Sequence, residues 1–484
     1  MMDEKAGAQI SKKAFIQSAL IILLLMIVAG VLTLVLPTGS YERTMVDGRS
    51  VIVPDSYQVT TGVHYPVWRW FTAPIEVLWG TDALTIITII VFILLVSGAF
   101  AVLDKSGILK SLLARIVKTF GKQKYLLLVV ICFFFMVLGA FLGLFEEIVP
   151  LVPLMIALSY SLGWDALVGL GMSILATNMG FSAAITNPFT IGVAQKLAGL
   201  PAFSGWQLRI PIFIVIYLLL IWFLVSYAKK IERKPEASPI FKEDQNERKR
   251  FAALDLEGMA AGGGNLGRAG LCFGIFIVLI AVVLIGGSQV QFLSDYALPL
   301  VGLLFFIGGI LSGFVSGAKG SLIGKALLEG IVGMAPGIPL ILMAASIKHI
   351  VYTGQVMDTI LHGAAGTLQN ASPLSAVLII YVMALVIELF IGSAGAKAVL
   401  MMPILVPLAE LVGVTRQMTV LAYCFGDGFS NLAYPTNPVL LITLGLAAVS
   451  YGKWIKWTAK LWLAVIPITI LFLWLATLIG YGPF

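Results

Sequence analysis

Charge is scarce in this sequence. Asp, Glu, Lys and Arg make up 11% of its 484 residues, against 60% hydrophobic ones. A soluble protein carries roughly 25% charged residues and 45–50% apolar ones. A water-soluble core of this size cannot hide so much apolar surface, so part of the solvent must be lipid. Cysteine and histidine are scarcer still, at three each. Cys132, Cys272 and Cys424 lie singly in apolar runs, which excludes a disulfide framework or a cysteine metal pair. Without an HExxH pair, and with no matching aspartate motif for Asp427, an intramembrane enzyme has no catalytic set. The net charge of +7 does not indicate nucleic acid, because Lys and Arg cluster in loops between apolar runs.

What the sequence does have is long apolar runs. A span needs about 20 apolar residues, and 14–36, 84–103, 208–228, 267–286, 296–317, 333–352 and 457–480 qualify. The run from Phe15 to Leu36 is too long for a signal peptide and no Ala-x-Ala site follows, so it reads as the first transmembrane helix. Basic residues crowd 104–124, the linker 229–266 and 451–460, whereas the loop 37–83 has only Arg43, Arg49 and Arg69, and 353–371 has none. The first set is therefore cytoplasmic and the second external. Threading the chain through these constraints puts the N-terminus in the cytoplasm and the C-terminus outside, and makes 125–163 and 374–412 re-entrant hairpins.

The two halves match at an offset of about 249 residues. Gly180-Phe181-Ser182 before Thr186-Asn187-Pro188 answers Gly428-Phe429-Ser430 before Thr436-Asn437-Pro438. The hairpin turn Gly143 to Glu147 answers Gly392 to Lys397. Matched segments run in opposite directions in the charge-derived topology. The expected fold is thus an all-α polytopic membrane protein with an inverted repeat, two re-entrant hairpins and two broken transmembrane helices. Its parts are a first helix (1–36), an external loop (37–83), a first repeat (84–228, broken helix 166–200), a cytoplasmic linker (229–266), extra helices (267–317) and a second repeat (333–484, broken helix 416–450). Inverted repeats with discontinuous helices point to a secondary transporter; a passive channel is the remaining alternative.

The breaks carry the chemistry. Asn is a preferred N-cap and Pro suits the first helical position, so new half-helices start at Phe189 and Val439. Gly180 and Gly428 suit the left-handed residue that closes the preceding half-helix. A break near the bilayer midplane must line a polar cavity, because unsatisfied backbone groups in lipid cost several kcal/mol each. A half-helix N-terminus with free N–H groups suits a carboxylate. We therefore expect Glu146, Glu147, Thr186, Asn187, Ser393, Lys397, Thr436 and Asn437 to bind substrate. Asn178, Ser182, Asp427 and Ser430 are expected to hold a coupling ion, Na⁺ or H⁺, with no other cofactor or metal. Glu146 and Glu147 lie deep in the first hairpin, where intramembrane carboxylates mark function, and a Glu147–Lys397 pair is one arrangement open to them. Glu388 lies in the second hairpin's first arm, with polar and structural roles both open. Lys348 and His349 read as interfacial groups, His64 and His362 as solvated, and Trp68, Trp70 and Trp79 as an aromatic belt.

At these residues the sequence resembles the YfcC-like group of the C4-dicarboxylate anaerobic carrier family, within the ion transporter superfamily, over nearly the whole chain. The resemblance implies a carrier of the bacterial inner membrane, a homodimer, with a scaffold and a mobile domain that moves as an elevator. Other superfamily members carry Ser-Asn-Thr at their hairpin tips, and this chain does not. Members of the group are associated with dicarboxylates and with arginine and ornithine. An amino acid fits the residues better than a dicarboxylate: half-helix termini would take its carboxylate and Glu146 or Glu147 its positive end.

Overall fold

The computed structural model describes residues 12–46, 49–60, 65–201, 203–245, 264–287, 296–368 and 371–482. His64 and much of the linker lie outside them. The chain is mostly helical, and eight described helices are long and apolar enough to cross a membrane. Those outside the two central blocks follow the apolar runs: Ala83–Lys105, Trp206–Arg233, Leu298–Val315, Gly320–Thr353 and Tyr451–Leu478. Their outward faces carry Leu218, Trp222, Leu463 and Leu471 in the open, as lipid contact requires.

Four features depart from the sequence reading. The basic segment 104–124 contains an amphipathic helix, Ile108–Phe120, whose apolar residues Ile108, Leu109 and Ala114 are buried, with Arg115 and Lys118 exposed on it. A helix at Gly320–Met334 precedes Gly337–Thr353, where nothing was expected. It lies against Ala83–Lys105 so closely that Gly330 has no room for a Cβ beside Ser97, whose Oγ donates to the Gly330 carbonyl at 2.9 Å. Trp70 is buried over Gly30 rather than part of a belt, while Trp68 and Trp79 are exposed.

The fourth is the loop 37–83, which is not all-α. Gly39–Ser40 pairs antiparallel with Gln58–Val59, and Arg43–Val46 with Arg49–Ile52. This small β-cap is fixed to the helix Met357–Gly366. Arg43 grips Asp358 through both carboxylate oxygens at 2.8 and 2.9 Å, and the Tyr41 N–H donates to the same group at 3.0 Å. His362, expected to be solvated, stacks on Tyr57 with ring centroids 4.0 Å apart. A second cluster joins Arg69 to Glu76 at 2.5 Å, with Thr72 and His349 hydrogen-bonded to the same carboxylate. The hydrogen bonds from Arg69 outweigh burial and, with those from Thr72 and His349, hold the Glu76 carboxyl at about 2. Lys348 pairs with Asp82 at 2.6 Å, so Lys348 and His349 are tied to acids at the end of the helix Trp68–Glu76 and just after it rather than left as free interfacial groups.

Candidate functional site

The two central blocks hold one interrupted helix each. The first runs from Ala166 to Ala183, is closed by Ala184 at φ +46°, and resumes at Pro188. The second runs over Arg416–Gly428 and resumes over Pro438–Leu446. Both restarts have the same local cause. Asn187 Oδ1 accepts from the N–H groups of Phe189 and Thr190 at 2.9 and 3.3 Å, and Asn437 Oδ1 from those of Val439 and Leu440 at 3.0 and 3.4 Å. The asparagine caps thereby occupy N–H groups that the sequence reading had offered to a substrate carboxylate. What remains there is the positive end of each helix dipole and the hydroxyls of Thr186 and Thr436. Thr436 Oγ1 is buried without a hydrogen-bond partner.

The glycines of the two Gly-Phe-Ser elements do a different job from the one expected. Neither has a positive φ. Gly180 sits inside its half-helix against the Met136 backbone, and Gly428 abuts Ser182, each with no room for a Cβ. They permit close helix approach, and Gly428 against Ser182 brings the two interrupted helices together. The most apolar 18-residue window of Ala166–Leu197 is 100% buried, against 28% for Tyr451–Leu478. The interrupted backbone is therefore screened from the lipid face, as its unpaired polar groups demand.

A helix pair packs on each interrupted helix. The first pair is Lys124–Leu142 with Val152–Ser161, turned at Gly143 with φ +68°. A Cβ at Gly143 would run into the side chain of Asn187. The break is stitched to this turn, with the Thr186 N–H donating to Ala140 O and Thr186 Oγ1 to Phe141 O, both at 3.1 Å. Just beyond, Glu146 is exposed and Glu147 partly so, while Leu144, Phe145 and Ile148 to Pro150 are buried. Glu147 accepts from the Phe145 N–H at 3.1 Å. Neither acid has an ion pair among the described residues.

The second pair is Pro373–Glu388 with Ala394–Leu411. Ser393 caps the second of these helices, its Oγ accepting from the Ala396 N–H at 3.5 Å, and Gly392 and Ser393 are exposed. Lys397 does not reach Glu147. Its ammonium lies 2.5 Å from Asp427 Oδ1 and also pairs with Glu388 Oε2. All three side chains are at most 1% exposed. Glu388, left open by the sequence reading, thus belongs to the same cluster as Asp427. The Tyr423 hydroxyl donates to the Ala394 carbonyl, tying the start of the lysine's helix to the interrupted helix that carries Asp427.

The remaining expected ion ligands are all buried. Ser182 Oγ donates to Asn178 O at 2.6 Å and Ser430 Oγ to Gly426 O at 2.7 Å. The Asn178 amide is buried with neither nitrogen nor oxygen bonded. Sequence reasoning passed over Arg209. It is 1% exposed, and its guanidinium donates to the carbonyls of Ile185, Phe203 and Ser204 and to the Tyr481 hydroxyl. It braces the chain entering the first break, and an arginine flanked by Leu208 and Ile210 at the start of an apolar run was the available signal.

The model of the C4-dicarboxylate anaerobic carrier family matches residues 15–478. A protein of Escherichia coli (strain K12) called "Putative basic amino acid antiporter YfcC" is 29% identical, covering 91% of this chain and 92% of its own. An uncharacterized protein of Haemophilus influenzae (strain ATCC 51907 / DSM 11121 / KW20 / Rd) is 26% identical over 84% of this chain and 78% of its own. Among solved structures, the YdaH transporter of Alcanivorax borkumensis superposes with a TM-score of 0.40 at 19% identity, covering 97% of this chain and 98% of that one. MtrF of Neisseria gonorrhoeae, described with a class of antimetabolite efflux pumps, gives 0.42 at 20% identity, covering 95% and 94%.

Proposed function

The chain belongs to the C4-dicarboxylate anaerobic carrier family, a multi-pass membrane transporter family and not an enzyme family, and from that premise we propose that it carries a basic amino acid of the arginine or ornithine kind, by exchange or cation-coupled uptake. The observation that carries this reading is the pair of open acids at Glu146 and Glu147. They stand beside the first break with no basic partner among the described residues. Ionisable side chains within a membrane segment mark function and pair with an opposite charge, and a cationic substrate supplies that charge when it binds. The substrate's own carboxylate meets the helix dipoles and the hydroxyls of Thr186, Ser393 and Thr436, beside the caps Asn187 and Asn437. Asn178, Ser182 and Ser430 remain the place for a coupling ion in this reading. The name of the E. coli relative supports a basic substrate.

In the same reading the two helix pairs are re-entrant hairpins of an inverted repeat, moving with the interrupted helices as an elevator. The chain sits in the bacterial inner membrane with its N-terminus cytoplasmic and its C-terminus external, as a homodimer. Loop charge supports the orientation; family resemblance supports the movement and the dimer. A C4-dicarboxylate with Na⁺ or H⁺ coupling is the second reading, favoured by the family's own description. It requires Glu146 and Glu147 to be protonated or ion-paired when the substrate arrives.

The test is the melting temperature of the purified protein against arginine, ornithine, lysine, neutral amino acids and succinate, with Na⁺ and with choline. A ligand that binds the folded state raises it by mass action. A rise with arginine or ornithine that Glu147→Gln removes is expected. A rise with succinate alone would move the assignment to the dicarboxylate reading.

A further inference from the structure

Asp427 was singled out as an ion ligand, and the fold gives it an ion from the protein itself. The cluster joins three separate segments. Glu388 ends the helix Pro373–Glu388, Lys397 lies in the first turn of Ala394–Leu411, and Asp427 closes Arg416–Gly428. Its chemistry is unlike that of a buried salt bridge kept for stability. Such a bridge survives desolvation only when further hydrogen bonds satisfy the remaining lone pairs. Here, apart from the ammonium, no oxygen of either carboxylate has a hydrogen-bond partner. Two carboxylates closing on one small cation in a fully buried space are instead the kind of oxygen ligand that hard cations take.

We propose that the Lys397 ammonium is a resident cation, filling an oxygen site formed by Glu388 and Asp427 that would otherwise take a metal ion from solution, so that these two acids need no Na⁺. Lysine suits this role because its ammonium is a compact point charge on a flexible stem, about as demanding of oxygen partners as a small ion. The first break has no such group. At an offset of 249, Asn178 stands where the second has Asp427, Ile148 where it has Lys397, and Gly139 where it has Glu388. The proposal does not depend on which substrate is carried, and its readout is stability rather than transport.

The experiment compares the detergent-purified wild type with Lys397→Ala by thermal melting in NaCl, KCl, ethylammonium chloride and choline chloride. The expected result is a low melting temperature for Lys397→Ala in choline that rises saturably with Na⁺ or ethylammonium, a response larger than any in the wild type. Adding Asp427→Asn to Lys397→Ala should abolish that increment. A folded Lys397→Ala protein that ignores every small cation would overturn the proposal, since the space would then not be a cation site. If Lys397→Ala does not fold in any of these salts, the neutral variant Glu388→Gln/Lys397→Met/Asp427→Asn decides. Folding at close to wild-type stability shows that the lysine is needed only as counter-charge. Failure to fold makes it a packing element and sinks the idea.

Discussion

The two breaks are built from the same local pieces and differ in how their charge is balanced. Each restarts its helix on an Asn-Pro cap, and each is covered by the turn of a helix pair. In the first, the turn presents two acids to open space and the interrupted helix offers only the neutral amide of Asn178. In the second, the turn brings a lysine inward, and the acids Glu388 and Asp427 enclose it completely. Among the described residues, the acids beside one break have no ion pair, and those at the other are closed on a lysine. The same local construction thus carries unpaired acids in one place and acids partly neutralised by a lysine in the other. In the proposed reading, this asymmetry leaves the first break as the place where a cationic substrate finds its counter-charge.

The largest test of that contrast is Lys397→Ala in choline-based buffer. Breaking a buried ion pair by removing one partner costs about 3–5 kcal/mol, so its melting transition should fall far below that of the wild type, whereas Glu147→Gln should leave the transition nearly unmoved. Equal effects on stability would erase the distinction between the halves. Next in size is transport. Glu147→Gln should lower arginine or ornithine uptake about 100-fold in proteoliposomes with the amount of folded protein unchanged, since losing the partner of a desolvated charge costs roughly 2–5 kcal/mol; unchanged uptake removes Glu147 from the site.

Smaller effects probe what the breaks share. Asn187→Ala and Asn437→Ala each remove a cap that accepts from two N–H groups, worth about 1 kcal/mol. Similar losses in chemical denaturation are expected for both, because this part of the construction is common to the two halves. The smallest effect comes from an acid that has found its cation at the protein surface. Glu76 has a folded value of about 2, below the ordinary 4.5, chiefly through Arg69. Its contribution is therefore complete above about pH 4.5 and is lost as pH falls toward 2. At 21% exposure that contribution is modest. Limited proteolysis around the helix Trp68–Glu76 should become faster over that window, and Glu76→Gln should flatten the dependence; a helix equally resistant at pH 2 and 5 would show that Arg69–Glu76 does not hold it.

Much of this was legible in the residues. Apolar runs gave the spans to within a few residues because lipid imposes length and composition on each segment independently. The Asn-Pro pairs marked both helix restarts because capping is decided within three residues of chain. Glycine misled for the same reason in reverse: Gly180 and Gly428 look like helix ends locally, yet what they meet is Met136 and Ser182 on other segments. The β-cap and the helix Gly320–Met334 were equally hidden, since their partners, Asp358 and Ser97, are remote in sequence.

By itself, then, the sequence determined that the chain lives in lipid, where its helices are interrupted, and that carboxylates are placed deep beside one interruption. These follow from composition and from interactions among near neighbours. Tertiary structure alone decided which carboxylates are open and which are answered. Lys397 had Glu147 as one candidate partner and took Glu388 and Asp427, because packing three helices together brings those acids within reach and buries all three from water. Charge is written in the sequence, but its pairing is a matter of distance in space, and only the fold sets that distance.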